Sequence, residues 1–493
     1  MTENDRRNTY CNPLPIPSIP WGKDQWYSGE YGMFSHENKP SDITTPDYRS
    51  ISDPTVMYFE NKWYLYPSYG MAWVSEDFCT WKHVRTEPYC PKYSPSVTPW
   101  KGKFLLTSWN CPLYVGETPT GPFTELGPLT LPDGKTFLPC DPGIFTDEDG
   151  RIYIYYFAAK GLPGKTYFRS QILGVEVDPD EPTKVVRGPV PVAEINPLNR
   201  PWERAGNANQ NPVFGWLEGP HLIRHDGRYY LICAAPNTQF ESYCMEVFYS
   251  DSDPLGRFVC QKRNPLTLHR TGIVRGCGHG CVEHGPGHTL WAFYTISVPY
   301  LHIFERRIGM DRVEIDENGE MYCPYGVTDT PRRAPGAPDA GADIGYLPLN
   351  GWLRPTASSQ KPGRDPMYSC DGSALTYWQP AEDDAEPWLC YDLAARYTAG
   401  AVRLFWREDG LDYASGARPG PMRYLMEGKK NAEDEWRVLL DRSQSEDDFN
   451  VDYQVFEEQT VQFVRLRLIG APAGIHPGVI DCTLFGYLPM SEY

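Results

Sequence analysis

Hydrophobic and polar residues alternate along this chain in short runs, a period typical of β-strands with one buried face. Turn residues separate the runs, and Asn61-Lys62, Asp149-Gly150 and Asp226-Gly227 are strong hairpin signals. The composition agrees, because 48 Pro and 44 Gly favour turns while 33 Tyr and 15 Trp favour strands. The pattern therefore predicts an all-β protein.

One unit recurs five times in the first part of the chain. Each copy has a small polar head, an apolar residue, a turn and an aromatic-rich strand, and the copies span 52–68, 94–109, 140–158, 217–235 and 278–295. Their spacing suits one four-stranded sheet per unit, with insertions in the third. Five such sheets around one axis predict a five-bladed β-propeller; the alternative is a β-sandwich with accidental internal similarity.

The pattern changes near residue 333. The stretch Arg332–Asp343 is rich in Pro, Ala and Gly and has no periodicity, which is typical of a linker. Short alternating runs follow it, and they predict separate strands within 387–393, 401–406, 423–439 and 462–469. We therefore predict a propeller over 1–333, a linker over 334–350 and a β-sandwich of the jelly-roll, galactose-binding-like type over 351–493.

Composition and charge narrow the functional classes. Hydrophobic residues make up 41% of the chain, which excludes disorder as its main state, and the net charge of −18 disfavours nucleic acid and anionic membranes as partners. No apolar run is long enough to span a bilayer, the N-terminus lacks an apolar signal region, and the cysteines lie in strand-like runs. These features predict a cytoplasmic protein, or a secreted one if the native N-terminus has been trimmed.

The heads of the five units carry candidate chemistry, because equivalent positions on propeller blades surround one channel. They are Asp53, Ser96, Asp141, Glu218 and His279. A carboxylic acid and a carboxylate across a pocket can hydrolyse a glycosidic bond, since one protonates the leaving oxygen and the other activates water. A third carboxylate nearby raises the pKa of the acid. The alternative for any single Asp-Pro head is a turn cap.

The contexts of these heads differ. Glu218 lies among apolar and aromatic neighbours within 215–220, where desolvation favours the protonated form of a general acid. Asp53 and Asp141 are each followed by proline, which restricts the turn behind the carboxylate and suits a rigid base.

Four motifs resemble those of glycoside hydrolase family 43 over about residues 40–325: Ser52-Asp53-Pro54, the run 140–150, Glu218-Gly219-Pro220 and Gly278-His279-Gly280. The resemblance implies a five-bladed propeller of inverting enzymes that act on arabinofuranosides, xylosides and some galactosides. It also implies that Asp53 is the general base, Asp141 the pKa modulator and orienter, and Glu218 the general acid. His279 matches a channel histidine that often lies next to a calcium ion, reached largely through water; no organic cofactor is implied.

The same resemblance places aromatic rings around the sugar, whose C–H faces stack on them. The candidates by position are Tyr69, Trp73, Trp109, Phe157 and Phe240. Arg307 matches a late-blade arginine that often points at the substrate or the acid pair.

The C-terminal region resembles a coagulation factor 5/8 type C, or discoidin-like, domain over about 351–488. The matching motifs include 357–359, Thr376-Tyr377-Trp378 and Leu484-Phe485-Gly486. Relatives of this domain include carbohydrate-binding modules of family 32, and some hold a structural calcium ion near the turn that corresponds to Asp371. Whether this copy binds sugar or only packs on the propeller stays open.

The leading hypothesis is an inverting exo-glycosidase of plant-type polysaccharides or oligosaccharides, acting as an α-L-arabinofuranosidase or a β-D-xylosidase. The enzymatic alternative is a β-galactosidase, a galactofuranosidase or an exo-β-1,3-galactanase. The non-catalytic alternative is a carbohydrate-binding propeller, which would not need ionisable groups placed for water activation. A propeller that binds other proteins would need no buried carboxylates at all.

Overall fold

The computed structural model describes residues 8–17, 50–68, 72–84, 93–161, 168–299, 305–412 and 417–488. Five four-stranded antiparallel sheets follow one another along the chain, and each pairs its strands in chain order. The predicted all-β fold with five blades is confirmed. The described part of the chain holds no helix with the length and apolarity that a membrane span requires.

The blades take up most of residues 55–322. Their strands are Thr55–Phe59, Lys62–Tyr66, Ala72–Ser75 and Lys82–Val84 in blade 1; Ser96–Trp100, Lys103–Thr107, Leu113–Gly116 and Phe123–Gly127 in blade 2; Cys140–Thr146, Ile152–Gly161, Phe168–Val177 and Val185–Glu194 in blade 3; Glu218–His225, Arg228–Ala235, Cys244–Ser250 and Val259–Cys260 in blade 4; Gly280–His284, Leu290–Ser297, Arg306–Ile315 and Met321–Tyr322 in blade 5. Thr9–Tyr10 pairs with Arg332–Arg333, and Leu129–Thr130 pairs with Thr136–Phe137.

The hairpin between the first two strands of blade 1 turns one residue earlier than the sequence suggested. Phe59 pairs with Lys62, so the turn is Glu60-Asn61, and both residues have left-handed φ angles of 50° and 61°. In blade 4 the turn is Asp226-Gly227 as predicted, with φ angles of 48° and 82°. Two consecutive left-handed residues match the twist of the flanking strands.

Five hydrophobic clusters lie between adjacent blades and close the ring. The second strand of each blade shows how, because its successive residues face opposite neighbours. In blade 4, Leu231 packs toward blade 3 whereas Ile232 packs toward blade 5. In blade 5, Ala292 packs toward blade 4 whereas Phe293 packs toward blade 1. These strands are buried on both faces, which explains why they are continuously apolar in the sequence rather than alternating.

The C-terminal domain is a seven-stranded antiparallel sheet. Its strands are Leu347–Pro348, Thr356–Ala357, Trp388–Asp409, Arg423–Lys429, Arg437–Asp441, Val451–Gly470 and His476–Tyr487. The strands predicted separately at 387–393 and 401–406 are one strand of 22 residues, which keeps its pairing through two register shifts. The predicted run 423–439 is instead split between two strands.

The propeller and the C-terminal domain share a buried interface. Phe405 and Val451 belong to the same hydrophobic cluster as Ile232 and Ala292 of the blades. Arg403 is 2% exposed; it pairs with Asp481 at 3.0 Å and donates at 2.8 Å to the backbone carbonyl of Asn12. The segment predicted as a linker lies packed as well, since Ile344 and Tyr346 are buried. The blades are therefore anchored to the second domain by continuous packing.

Candidate active site

One backbone turn recurs at the entrance to every blade. A residue within two positions of the start of the first strand has a left-handed φ in each case: Asp53 (51°), Ser94 (45°), Asp141 (48°), Gly219 (57°) and His279 (34°). Non-glycine residues rarely adopt this conformation, so its recurrence identifies the equivalent positions of the five units. The second head is therefore Ser94 rather than Ser96, and Glu218 comes one residue before the head of its blade.

Asp53 is held by charges and hydrogen bonds on both of its carboxylate oxygens. Its Oδ1 lies 3.1 Å from Nη1 of Arg306 and 3.5 Å from Nδ1 of His279. Its Oδ2 accepts hydrogen bonds from Ser52 at 3.0 Å and from Ser68 at 2.6 Å. Burial raises the pKa of Asp53, but the arginine, the histidine and the two hydroxyls outweigh it, so the pKa is lowered. Asp53 is therefore ionised at neutral pH.

Asp141 opens blade 3 and lies close to the same group of charges. The hydroxyl of Ser94 donates to its Oδ1 at 2.5 Å. Burial raises the pKa of Asp141, the charge of Asp53 raises it further, and His279 and Ser94 only partly offset the two effects. The head of blade 2 thus holds the carboxylate of blade 3, and Asp141 and Asp53 interact electrostatically.

Glu218 begins blade 4 and has the environment of an acid. Burial raises its pKa to about 8, and the nearby charge of Asp141 is the second cause. The hydroxyl of Tyr243 donates to Oε1 of Glu218 at 2.7 Å, which lowers the pKa and keeps the carboxyl group in place. Gly219 follows at once because a Cβ at that position would lie 2.7 Å from the ring of His279.

His279 completes the cluster, and its ring lies against Gly219 and beside Asp53. Calcium prefers several oxygen ligands, and the described residues hold no group of three or more His, Cys, Asp or Glu side chains that could hold a metal ion. A calcium ion reached through water near His279, or held near Asp371, therefore stays a prediction from the resemblance. The carboxylate of Asp371 accepts from the backbone N–H of Ser373 at 2.9 Å and from Thr376 at 2.8 Å.

Two of the residues proposed to contact substrate lie elsewhere. Trp73 is fully buried among the packing residues of blades 1 and 5, and its indole N–H donates to the carbonyl of Pro17 at 2.9 Å. Arg307 faces the C-terminal domain, where its Nε donates to Asn450 at 3.0 Å. Successive residues of a strand point to opposite faces, so the neighbouring Arg306 is the arginine that reaches Asp53. The sequence-based prediction of Arg307 therefore missed the arginine beside Asp53 by one residue.

The three other aromatic candidates that lie in the described part of the chain are Trp109, Phe157 and Phe240, and Tyr69 lies outside it. The indole N–H of Trp109 points to Sγ of Cys140, at 2.7 Å, beside Asp141. Phe157 pairs with Cys140 across the sheet and stacks on Trp216, with ring centroids 4.7 Å apart and planes 12° apart. Both rings thus lie next to the entrance of blade 3. Phe240 is half-buried, and its carbonyl accepts from the backbone of Tyr243 at 3.0 Å.

Sequence reasoning missed three residues of this site: Arg306, Tyr243 and Trp216. Trp216 comes two residues before Glu218, and this proximity was a usable signal. Tyr243 had no signal, since it reaches Glu218 from the third-strand side of blade 4.

Comparison with known proteins gives a family match for each of the two domains. The model of the glycosyl hydrolases family 43 matches residues 44–321, more than half of the chain. The chain belongs to this family. The model of the F5/8 type C domain matches residues 355–476. Both predicted resemblances are confirmed, and the family 43 domain coincides with the five blades.

Individual relatives of this family 43 protein are more distant. A xylosidase/arabinosidase of Butyrivibrio fibrisolvens is 29% identical over 186 residues, which are 36% of this chain and 32% of that protein. The chain thus spans about a third of the length of this curated relative. A thermostable family-43 glycoside hydrolase of known structure is 23% identical, with a TM-score of 0.49 over 59% of this chain and 97% of the other. A xylan β-1,4-xylosidase from Bacillus halodurans C-125 is 14% identical, with a TM-score of 0.47 over 91% and 100%.

Proposed function

We propose that this family 43 protein is an inverting glycosidase that releases α-L-arabinofuranosyl or β-D-xylosyl groups from plant-type oligosaccharides. One observation carries the mechanism: two carboxyl groups of one site have pKa values displaced in opposite directions. The pKa of Asp53 is lowered, whereas that of Glu218 is raised to about 8. Titratable groups separated in this way indicate the base and the acid of a reaction.

The roles follow from these protonation states. At neutral pH the protonated Glu218 donates its proton to the glycosidic oxygen, and the bond between that oxygen and the anomeric carbon breaks. The ionised Asp53 accepts a proton from water, whose oxygen bonds to the anomeric carbon from the opposite face. The negative charge of Asp141 raises the pKa of Glu218 and so favours the protonated form of the acid. The sugar specificity is supported by the xylosidase/arabinosidase relative.

Hydrolysis of four 4-nitrophenyl glycosides tests the class: α-L-arabinofuranoside, β-D-xyloside, β-D-galactopyranoside and β-D-galactofuranoside. Glu218→Gln removes the proton donor, so we expect cleavage of an arabinoxylan oligosaccharide to fall about 10²–10⁴-fold. The loss on aryl glycosides is expected to be smaller, because 4-nitrophenolate leaves with little acid assistance. Glu148→Gln, on an exposed turn of the same propeller, is the matched control. Full activity of Glu218→Gln on the natural oligosaccharide would contradict the assignment of Glu218 as the general acid. Proton NMR, which identifies the first anomer released, tests whether the reaction inverts the anomeric carbon.

A further inference from the structure

A cavity lies between the outer strands of blades 3 and 4. Its volume is about 730 Å³, and its lining includes Arg169, Glu194, Arg200, Phe248, Arg257 and Phe258. Strands neighbour one another at about 4.8 Å, so the third and fourth strands of a blade, which line the cavity, are roughly 10 Å and 14 Å from the first. Asp141 and Glu218 belong to the first strands, and this cavity is therefore separate from the carboxylate site.

Two arginines of this cavity have no counter-charge of their own. Among the described residues, neither Arg169 nor Arg257 has an ion pair or a side-chain hydrogen bond, and both side chains are exposed. Other arginines of the same blades are paired, as in the exposed Arg187 with Asp253 at 2.6 Å and the half-buried Arg228 with Asp251 at 2.6 Å. In a chain of net charge −18, two unpaired guanidinium groups at one cavity are unusual.

Arg200 also lines the cavity, but its charge is paired with buried carboxylates and is not available to a ligand. Its Nε lies 3.0 Å from Oε1 of Glu203, its Nη1 lies 3.8 Å from Oε2 of Glu246, and its guanidinium lies 5.1 Å from the ring of Phe248. Both glutamates are fully buried. This arrangement neutralises Arg200 and holds it rigid. Glu194 is the carboxylate that lines the cavity itself, so Arg169 and Arg257 outnumber it.

The lining defines the chemistry of the ligand. A guanidinium group matches a carboxylate with two parallel hydrogen bonds, and the cavity has the size of a small-ligand site. Phe258 and Phe248 are buried in its wall and make that part of the lining apolar. We propose that this cavity binds oligosaccharides that carry a carboxylate, with Arg169 and Arg257 holding that group. The carbohydrate part of the proposal rests on the proposed function, whereas the carboxylate rests on the two arginines.

Equilibrium binding by isothermal titration calorimetry tests the site in the full-length chain with Glu218→Gln, which prevents turnover. The probes are a xylo-oligosaccharide with one glucuronic acid branch, the same oligosaccharide without the branch, and inorganic phosphate. We expect the acidic oligosaccharide to bind at least about tenfold more tightly than the neutral one, because a hydrogen-bonded charge pair contributes that much. Arg169→Gln and Arg257→Gln should each weaken its binding about tenfold, whereas Arg437→Gln, an exposed arginine of the C-terminal domain, should leave it unchanged.

Several results would overturn the proposal: equal binding of the acidic and neutral oligosaccharides, phosphate binding as tight as that of the acidic oligosaccharide, or unchanged binding in both arginine variants. Hydrolysis of the neutral aryl glycosides separates this proposal from the proposed function. With Glu218 intact, Arg169→Gln and Arg257→Gln should hydrolyse them at the wild-type rate. Absence of any hydrolysis by the wild type would refute the glycosidase while leaving the binding result to be judged by the arginine variants.

Discussion

Replacing Arg306 by glutamine should move the acidic limb of the pH–activity profile to higher pH. Arg306 is the largest of the favourable influences that lower the pKa of Asp53, and its Nη1 lies 3.1 Å from Oδ1. Without the guanidinium, burial raises the pKa of Asp53, and the carboxylate becomes protonated at a higher pH. Because the proposed base must be ionised, activity should then be lost earlier as the solution is acidified.

The contact distance sets the size of the effect. Two unit charges 3.1 Å apart in a medium of effective dielectric constant about 20 attract by about 5 kcal/mol, which is an upper bound. The hydroxyls of Ser52 and Ser68 and the ring of His279 remain in the variant and hold part of the ionised form. Losing a close arginine typically raises the pKa of an aspartate by about 1–3 units, equivalent to about 1.4–4 kcal/mol. The acidic limb should shift by that amount.

The assay is kcat/KM for the best aryl glycoside as a function of pH, since this ratio reports ionisations of the free enzyme. Arg307→Gln is the control, because it changes the next residue of the same strand on the opposite face. It removes hydrogen bonds to Asn450 and an ion pair with the buried Glu305 at 3.1 Å, so it should cost about 3–5 kcal/mol of stability without moving the limb. An unmoved acidic limb in a folded Arg306→Gln, or an equal shift in Arg307→Gln, would refute the reasoning.

Two further predictions concern Glu218. Tyr243→Phe removes the hydroxyl that stabilises the carboxylate, so the alkaline limb of kcat/KM, set by a pKa of about 8, should move to higher pH; a shift to lower pH would contradict this role. Gly219→Ala adds a Cβ 2.7 Å from the ring of His279 at a φ of 57°, so activity should fall at least about tenfold, as expected when catalytic groups are displaced. Gly227→Ala, which also has a left-handed φ but has open space around its Cβ, should retain activity and lose only stability by thermal denaturation.

The hydrophobic pattern was a good guide where local structure decides the outcome. Hairpin turns, the five repeats and the short blade strands depend on residues close in the chain, and so does the tight turn that recurs at Asp53 and Asp141. The motifs around Asp53, Asp141 and Glu218 also carried the family, which the match over 44–321 confirms. These features could be predicted because the same local pattern of strands and turns occurs in each of the five units.

Other features depended on contacts between distant parts of the chain. The side of a strand that faces the axis is set by packing against the neighbouring blades, so the sequence could not distinguish Arg306 from Arg307. Trp73 is an aromatic residue of the kind that stacks on sugars, but packing between the blades buries it completely. The long strand Trp388–Asp409 continues through residues that interrupt its alternation because two partner strands pair with it along its length.

The sequence by itself therefore determined the class of fold, the number of blades, the family and the three carboxylates at their entrances. Only the tertiary structure decided which charges surround each carboxylate, and hence which is ionised and which is protonated. The physical reason is that a pKa depends on burial and on charges within a few ångströms. Here those charges come from residues as far apart in the chain as Asp53 and Arg306, and only the closing of the ring brings them together.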